Sequence, residues 1–438
     1  MKKLLLTICF LLLAGNVHAA ATHYIRDGGI APIDGTGSCT GWATENACDS
    51  LPVTLVRGDT YYIADGSYGS RTFNAAVSGT LNIYIKKATV ADHGTSTGWS
   101  DSYGDGQAAF ASFYFVTGYY DIDGQVGGGP QSWDSGFGFT VISSKGKRVI
   151  FQANSSNINI KHTEITNTDA TANGVNYGSL IYSFGNVTNV TFSYCKIHHV
   201  YGCCIQGGFS GIKNWTIEYS KVGDNYGDSN HSEIWSRMGA DNFTWRYNYI
   251  YSWRSTGAFY AVGPGSDGTG DANISENIHI YGNIFDQGGT TASWLIAAYR
   301  DGSYDFQYAR GWRVYNNTFI NINSTSVWVY TCALSTTGTA DNEFKNNVIY
   351  GNSDGMQVWG VTQEHNSYQG SSQFWTGANN VLLTSSPFTN YSGGNYTLSG
   401  SVAGYPLSSP YNVDMYGVTR AVDGVWDRGA YEFNSGQR

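Results

Sequence analysis

The sequence has little charge, little proline and almost no helical periodicity. Only 13% of its 438 residues are charged, and it has 7 prolines. Its formal net charge is −9, without runs of Lys or Arg, which argues against nucleic-acid binding. The near absence of helical periodicity argues against an α/β barrel. The chain is instead rich in residues that suit short strands and tight turns, with 56 glycines, 33 tyrosines and 13 tryptophans.

A second long apolar run is also absent. Lys2 and Lys3 precede an apolar stretch over residues 4–14, and the small-residue segment Val17-His18-Ala19 follows. This pattern is typical of a bacterial secretory signal, with cleavage after Ala19 or Ala21, and we take residues 1–20 as the signal peptide. The sequence therefore predicts a soluble, exported protein, periplasmic or extracellular, with no membrane span.

Cysteine is sparse, and one of the seven cysteines lies in the signal segment. Cys39 and Cys48 flank a short polar loop, so in an oxidising compartment we expect them to form a disulfide. The sequence assigns no pairing to the other four, which are Cys195, Cys203, Cys204 and Cys332.

One short pattern recurs along the chain: apolar, polar, apolar, two variable residues, a small polar residue, one variable residue, apolar. The copies are Ile158–Ile165, Val190–Ile197, Trp215–Val222, Phe243–Ile250, Ile278–Phe285, Trp312–Phe319 and a degraded copy at Phe344–Ile349. Successive copies lie 25 to 35 residues apart, which is a solenoid period.

Each copy contains two strand segments around a bend, because its apolar residues alternate with period 2. The small polar position reads Thr163, Cys195, Ser220, Asn248, Asn283, Asn317 and Asn347. Asn tolerates the left-handed conformation of a tight bend, and stacked Asn side chains can hydrogen-bond from rung to rung. A further strand precedes each copy, so we predict three parallel sheets around an apolar core. The rival β-propeller would need blades of antiparallel strands.

The predicted fold is an all-β, right-handed, single-stranded parallel β-helix with a cap at each end. We assign residues 21–75 to the N-terminal cap and entry rung, 76–410 to the β-helix and 411–438 to a C-terminal closing element. A capped solenoid needs no partner, so we expect a monomer.

The chain resembles the secreted right-handed β-helix repeat proteins, which include polysaccharide lyases and polygalacturonase-like hydrolases. The segment Glu233-Ile234-Trp235-Ser236-Arg237-Met238 is similar to the Glu-Ile-x-Ser-x-Lys motif of chondroitinase B and alginate lyase relatives. Met238 stands where those relatives have the catalytic Lys, and the next-rung segment Phe259-Tyr260-Ala261 lacks their Arg, so Arg237 or Arg254 would have to substitute. Asn167-Thr168-Asp169 matches one polygalacturonase motif, but the other three are absent, and we treat the match as coincidence.

An outward aromatic face on the strand before each copy suits stacking against sugar rings. The predicted inward column holds Ile181, Ile205, Ile234, Ile296, Val329 and Val358. The residues predicted to bind substrate are Tyr182, Trp235, Arg300, Trp328, Tyr330 and Trp359.

The predicted catalytic residues are His231, Glu233, Arg237 and Arg254. His231 and Glu233 are two residues apart, so both project from the same side of the strand and could form an acid–base pair. Arg237 and Arg254 would hold a substrate carboxylate. Hydrolysis through Glu233 with Asp228 or Asp241 is the alternative reaction. A non-catalytic glycan-binding or adhesive surface protein is the alternative function.

The sequence identifies no certain cofactor, and no metal ligands are assigned. The loop Asp267-Gly268-Thr269-Gly270-Asp271 could hold Ca²⁺ through its carboxylates. The consecutive residues His198 and His199 are predicted to lie at a bend of the chain. Glu218 and Arg246 are predicted to form a cross-strand ion pair.

Overall fold

The computed structural model describes residues 19–32, 39–169, 178–207, 212–227, 232–238, 240–262, 275–299, 309–323, 327–329, 341–351, 358–359, 361–370 and 375–433. Strands dominate these residues, and Asp101–Tyr103 form a short 3₁₀ helix. Within the described ranges there is no helix with the length and apolar character needed to cross a membrane.

The fold consists mainly of three long sheets, and successive strands along the chain belong to each sheet in turn. The first sheet contains Thr22–Ile30, Thr60–Ile63, Ile83–Lys87, Tyr120–Asp123, Ile158–Lys161, Val187–Ser193, Ile212–Glu218, Ala240–Arg246, Ser275–Tyr281, Ala309–Arg310, Arg313–Tyr315, Glu343–Lys345 and Thr362–Glu364. The second contains Gly66–Ser67, Ala108–Phe110, Phe139–Ser143, Thr163–Asn167, Lys196–Val200, Lys221–Asn225, Tyr249–Tyr251, Ile284–Asp286, Thr318–Ile320, Val348–Tyr350, Ser367–Tyr368 and Val381–Leu382. The third contains Ser70–Phe73, Ser112–Phe115, Val149–Phe151, Ile181–Ser183, Ile205–Gly207, Trp235–Met238, Ser255–Val262, Ala292–Tyr299, Val327–Val329 and Val358–Trp359.

Every strand pair within these three sheets is parallel, as in the pairing of Ile158–Lys161 with its two neighbours. Each turn of chain adds one strand to each sheet, so the fold is the predicted right-handed parallel β-helix. A propeller, with its antiparallel blades, is excluded. The one antiparallel pair among the described strands is the hairpin of Phe388–Asn390 with Asn395–Leu398.

The interior is a continuous apolar core built from the inward side chains of all three sheets. Rings stack along the axis within it. Phe73, Phe115 and Phe151 follow one another at centroid distances of 4.6 and 5.2 Å. Such contacts add to the burial of apolar area, which is the main favourable contribution to folding.

A buried ladder of Asn side chains lies at the bend between the first and second sheets. Asn317 Oδ1 accepts hydrogen bonds from both the backbone N–H and the side-chain Nδ2 of Asn283, each at 3.0 Å. Asn317 Nδ2 in turn donates to Asn347 Oδ1 at 3.1 Å and to the carbonyl of Ile280 at 2.8 Å. The same pattern runs from Asn248 to Asn380, which confirms the predicted row.

The expectation that the ladder Asn residues themselves adopt the left-handed conformation is wrong. The left-handed residue is the one before each: Tyr247 has φ 58°, Asn316 has φ 53° and Asn346 has φ 56°. The preceding residue makes the turn, which leaves the ladder side chain free to point inward and bond along the axis.

A second, exposed Asn ladder follows a bend in the strands of the first sheet. Asn157, Asn189, Asn214 and Asn242 all have φ between 53° and 60°. Their side-chain amides bond in sequence at 2.9, 2.9 and 3.0 Å. Here the left-handed conformation and the ladder coincide, at a position that the sequence interpretation did not single out.

The two ends of the chain pack onto the solenoid in different ways. Near the N-terminus, Cys39 and Cys48 form the predicted disulfide. The C-terminal segment packs at the bend between the first and second sheets, where Tyr411 contacts Tyr281 and Tyr315 at the ends of first-sheet strands. The predicted ion pair between Glu218 and Arg246 is also present.

We predict that replacing a buried ladder residue destabilises the fold far more than replacing an exposed one. Asn317→Ala removes the acceptor of two Asn283 donors and the donor to Ile280, all buried. We expect the unfolding free energy to fall by about 2–4 kcal/mol. Asn214→Ala, the matched control in the exposed ladder, should cost about 0.5 kcal/mol. Denaturant unfolding followed by circular dichroism measures both, and equal losses would contradict a structural role specific to the buried ladder.

Candidate functional site

The backbone register of the third sheet aligns one row of residues over many rungs. We name it the third-sheet row; it comprises Tyr114, Ile150, Tyr182, Gln206, Ser236, Tyr260, Ala297, Trp328 and Trp359. The side chains of Tyr114, Ile150, Tyr182, Gln206 and Tyr260 are partly exposed, whereas Ser236 and Ala297 are buried. Neighbouring positions are one strand spacing apart, about 4.8 Å. The backbone register thus places predicted binding residues Tyr182, Trp328 and Trp359 along one line.

Tyr182 is at the centre of a partly exposed aromatic and cationic group, the Tyr182 platform, which comprises Tyr182, Phe184 and Lys147. Its ring lies 4.8 Å from the Phe184 ring, edge to face, and Phe184 is 47% exposed. The ammonium of Lys147 lies 4.0 Å from the Tyr182 ring centre and 5.7 Å from that of Phe184. Rings with an adjacent ammonium offer apolar contact and positive charge at one place.

Trp235 does not face outward, so its prediction as a binding residue is wrong. The register pairs Trp235 with Ile205 and Phe259, both of them core residues. The Trp235 side chain is 0% exposed, and its ring lies 4.9 Å from that of Phe243 and 6.3 Å from that of Trp312. The strand pairing is shifted by one residue from the predicted register, so Trp235 takes the position beside Ile205 that was predicted for Ile234. The wide interior at this rung is filled by the indole.

Glu233 is also inside the protein, and the prediction that it faces outward is wrong. It is 0% exposed, and the Cys203 thiol donates a hydrogen bond to its Oε2 at 3.0 Å. Burial, together with the negative charge of Glu233, raises the pKa of the Cys203 thiol well above its usual value. The thiols of Cys195 and Cys204 are also buried.

Arg254 is exposed, as an ion-binding residue would need to be. Its backbone N–H donates to Asn225 Oδ1 at 3.0 Å, and its guanidinium lies 5.7 Å from the Tyr226 ring centre. Asp241, named above as a possible partner of Glu233, belongs to the first sheet and lies 3.9 Å from Lys213. The polar cluster inferred from the sequence is therefore divided between different faces.

Several predicted positions lie outside the described residues. These are His231, Asp228, Arg300, Tyr330, Cys332 and the loop 267–271, together with the side chains of Arg237, Trp328 and Trp359.

The second sheet carries a group of His and carboxylate side chains that the sequence interpretation missed. In this group, the His–carboxylate cluster, His198 Nε2 lies 2.9 Å from Glu164 Oε1, and His199 Nδ1 lies 3.3 Å from Asp224 Oδ2. The hydrogen bond with His198 holds the pKa of Glu164 below its usual value, against the effect of burial. The ring of Tyr226 contacts that of His199 at 5.0 Å.

A cleft of about 570 Å³ lies on the second sheet, between the 131–135 loop and the C-terminal segment. Trp133, Lys221, Tyr249 and Tyr396 are among its lining residues. Asp134 fastens the loop to the second sheet, with 2.9 Å to Lys196 and 2.7 Å to Lys221.

The sequence matches no known family model. It also matches no curated protein. Among solved structures, it is similar to a mannuronic acid specific polysaccharide family 6 lyase from human gut microbiota, with 12% identity over 75% of this chain and 78% of that one, and a TM-score of 0.40. It is similar to the pectate lyase Pel9A, with 12% identity over 96% and 98% and a TM-score of 0.40. A family 6 polysaccharide lyase from Pseudopedobacter saltans has 11% identity over 82% and 94%, and a TM-score of 0.38. At these identities the likeness concerns the fold alone.

We predict that Asp134 stabilises the loop against the sheet in a pH-dependent way. Although burial acts to raise the pKa of Asp134, Lys221 and Lys196 together hold it below its usual value of 3.8. A carboxyl with a lowered folded-state pKa adds stability that is complete above 3.8 and is lost as the pH falls through the folded-state pKa. Wild type should therefore be more stable than Asp134→Asn at neutral pH, and the difference should vanish in strong acid. Thermal unfolding from pH 7 to pH 2 measures it, and a difference that is independent of pH would contradict the argument.

Proposed function

We propose that this chain is an exported enzyme that cleaves an anionic polysaccharide bound along the third-sheet row. The Tyr182 platform is the observation that carries the proposal, because it joins a partly exposed ring and an exposed ring with an ammonium. Sugar rings have flat apolar faces that stack on aromatic rings, and uronate sugars add a carboxylate that a cation can bind. A row repeated at about 4.8 Å suits an extended chain of such sugars.

Elimination is the reaction class we favour for an anionic substrate. A base removes the proton next to the sugar carboxylate, and a cation stabilises the negative charge that develops. The neighbouring glycosidic C–O bond then breaks as a C=C bond forms, and the departing oxygen takes a proton from water. We propose His231 as the base, with Arg237 and Arg254 at the substrate carboxylate. Arg254 supports this role by its exposure, and we no longer assign Glu233 a role because its side chain is buried.

Export is part of the proposal and rests on the N-terminal segment. The Cys39–Cys48 disulfide is consistent with an oxidising compartment.

The proposal predicts that purified protein depolymerises at least one anionic polysaccharide. Alginate, pectins and glycosaminoglycans are the substrates to screen, with neutral glycans as controls. We expect new chain ends that absorb in the ultraviolet, because elimination leaves a double bond, whereas hydrolysis gives reducing ends alone. Binding without any product would contradict the enzymatic function and favour the glycan-binding alternative. His231→Ala should abolish turnover, and full turnover in that variant would contradict its role as base.

The Tyr182 platform predicts a defined loss of substrate binding. Tyr182→Ala removes one ring and the surface against which Lys147 lies, so we expect KM to rise about 2- to 10-fold, which corresponds to 0.5–1.5 kcal/mol. Tyr84→Ala is the matched control, because Tyr84 is an exposed tyrosine on the first sheet. An equal effect of both substitutions, or none for Tyr182, would argue against the third-sheet row as the binding surface.

A further inference from the structure

We propose that His198, His199 and Asp224 form a binding site for a divalent transition-metal ion on the outer face of the second sheet. One nitrogen of each imidazole and one carboxylate oxygen all lie within 4.8 Å of one another. The site is on a different sheet from the third-sheet row and does not rest on the proposed function.

The backbone explains how two consecutive histidines reach the same face. Successive side chains in a regular strand point to opposite faces, so a His-His pair would normally be divided between core and surface. His199 is left-handed, with φ 62°, and this breaks the alternation. The side chains of His198 and His199 are therefore both partly exposed, at 16% and 31%.

The adjacent rung has the same irregularity at the matching position. Asp224 is left-handed too, with φ 57°. The register pairs His198 with Gly223 and Val200 with Asn225, which sets His199 beside Asp224. Because both left-handed residues lie in strands that are hydrogen-bonded to each other, the backbone holds the three ligand residues in fixed positions before an ion binds. That preorganisation lowers the cost of gathering them around an ion.

Distances and orientation fit such an ion. Two ligands on a tetrahedral ion at 2.0–2.1 Å are about 3.4 Å apart, and His199 Nδ1 and Asp224 Oδ2 are 3.3 Å apart. Because Glu164 bonds Nε2 of His198, the ion would be bound by Nδ1 of that ring. A carboxylate on the second nitrogen of a ligating imidazole is the common arrangement at metal sites.

The donor atoms indicate the class of ion. Two imidazoles and one carboxylate suit Zn²⁺, Cu²⁺ or Ni²⁺, whereas Ca²⁺ and Mg²⁺ favour oxygen ligands throughout. Three protein ligands at a partly exposed site leave a coordination position for water. Of the nearby cations, Lys196 is paired with Asp134, and Arg254 lies over the Tyr226 ring.

The test is a titration of the full mature chain with Zn²⁺ alone, followed by Cu²⁺ spectroscopy. The protein is produced without a polyhistidine tag and treated with a chelator first. We expect one ion per chain by calorimetry, and electron paramagnetic resonance of the Cu²⁺ form should show two nitrogen ligands. His198→Ala, His199→Gln and Asp224→Asn should each weaken Zn²⁺ binding at least tenfold, and each histidine variant should lose one nitrogen from the spectrum.

His93→Ala is the matched control, because His93 is a partly exposed histidine that stacks on Trp99 at 4.1 Å, outside the His–carboxylate cluster. It should bind Zn²⁺ like the wild type. Circular dichroism checks that each variant is folded, and the conservative His199→Gln and Asp224→Asn variants keep the test valid if His198→Ala does not fold. No Zn²⁺ binding by the wild type, or binding that the folded ligand variants retain, would overturn the site.

Discussion

The in-register stacking of successive rungs is the constraint on which the rest of this structure depends. The buried Asn ladder enforces it, because each Oδ1 accepts from both the backbone N–H and the side-chain amide of the Asn on the preceding rung. A slip of one residue would leave these buried groups unpaired, at a cost of about 1–3 kcal/mol each. Apolar burial favours a compact core in general, but it is insensitive to small shifts along the strand. The directional bonds of the ladder therefore select one register among many of similar apolar burial.

Because the rungs are stacked in register, residues that are one rung apart in the sequence become neighbours on the surface. Residues some 30 positions apart become neighbours at one strand spacing, as Lys196 and Lys221 do beside Asp134. The same stacking aligns the third-sheet row. It also places Glu164 on the rung next to that of His198, so that their side chains form a hydrogen bond. Each outer face is thus a separate surface, and the two candidate sites can be tested without disturbing each other.

The fold could be predicted from sequence because its signal is repeated. Asn248, Asn283, Asn317 and Asn347 stand at one offset in four copies, and that repetition marks both the bend and its stacking. The outer faces were harder to predict for a physical reason. A period of two predicts that side chains alternate between the two faces, but it does not say which set faces inward. Several third-sheet strands are also short, as at Ile205–Gly207. At Trp235 the phase is decided by the space between Phe243 and Trp312, which no local pattern reveals. Glu233 precedes that strand, and its burial depends on the same packing.

The His198-His199 doublet shows what a correct local interpretation leaves out. A bend at this position was predicted, and the left-handed φ of His199 agrees with a break in the strand. The consequence for chemistry depends on Asp224, 25 residues later, which has the same conformation on the next rung. The two left-handed residues lie side by side on hydrogen-bonded strands. If only one strand had such a residue, the backbone hydrogen bonds between the two strands would be disrupted. The strands stay paired on both sides of this break, at Ile197 with Val222 and at Val200 with Asn225. This pairing requires that His199 and Asp224 both adopt the left-handed conformation. The position of the His–carboxylate cluster is therefore set by the backbone of the solenoid, and only its side chains need to move to bind an ion.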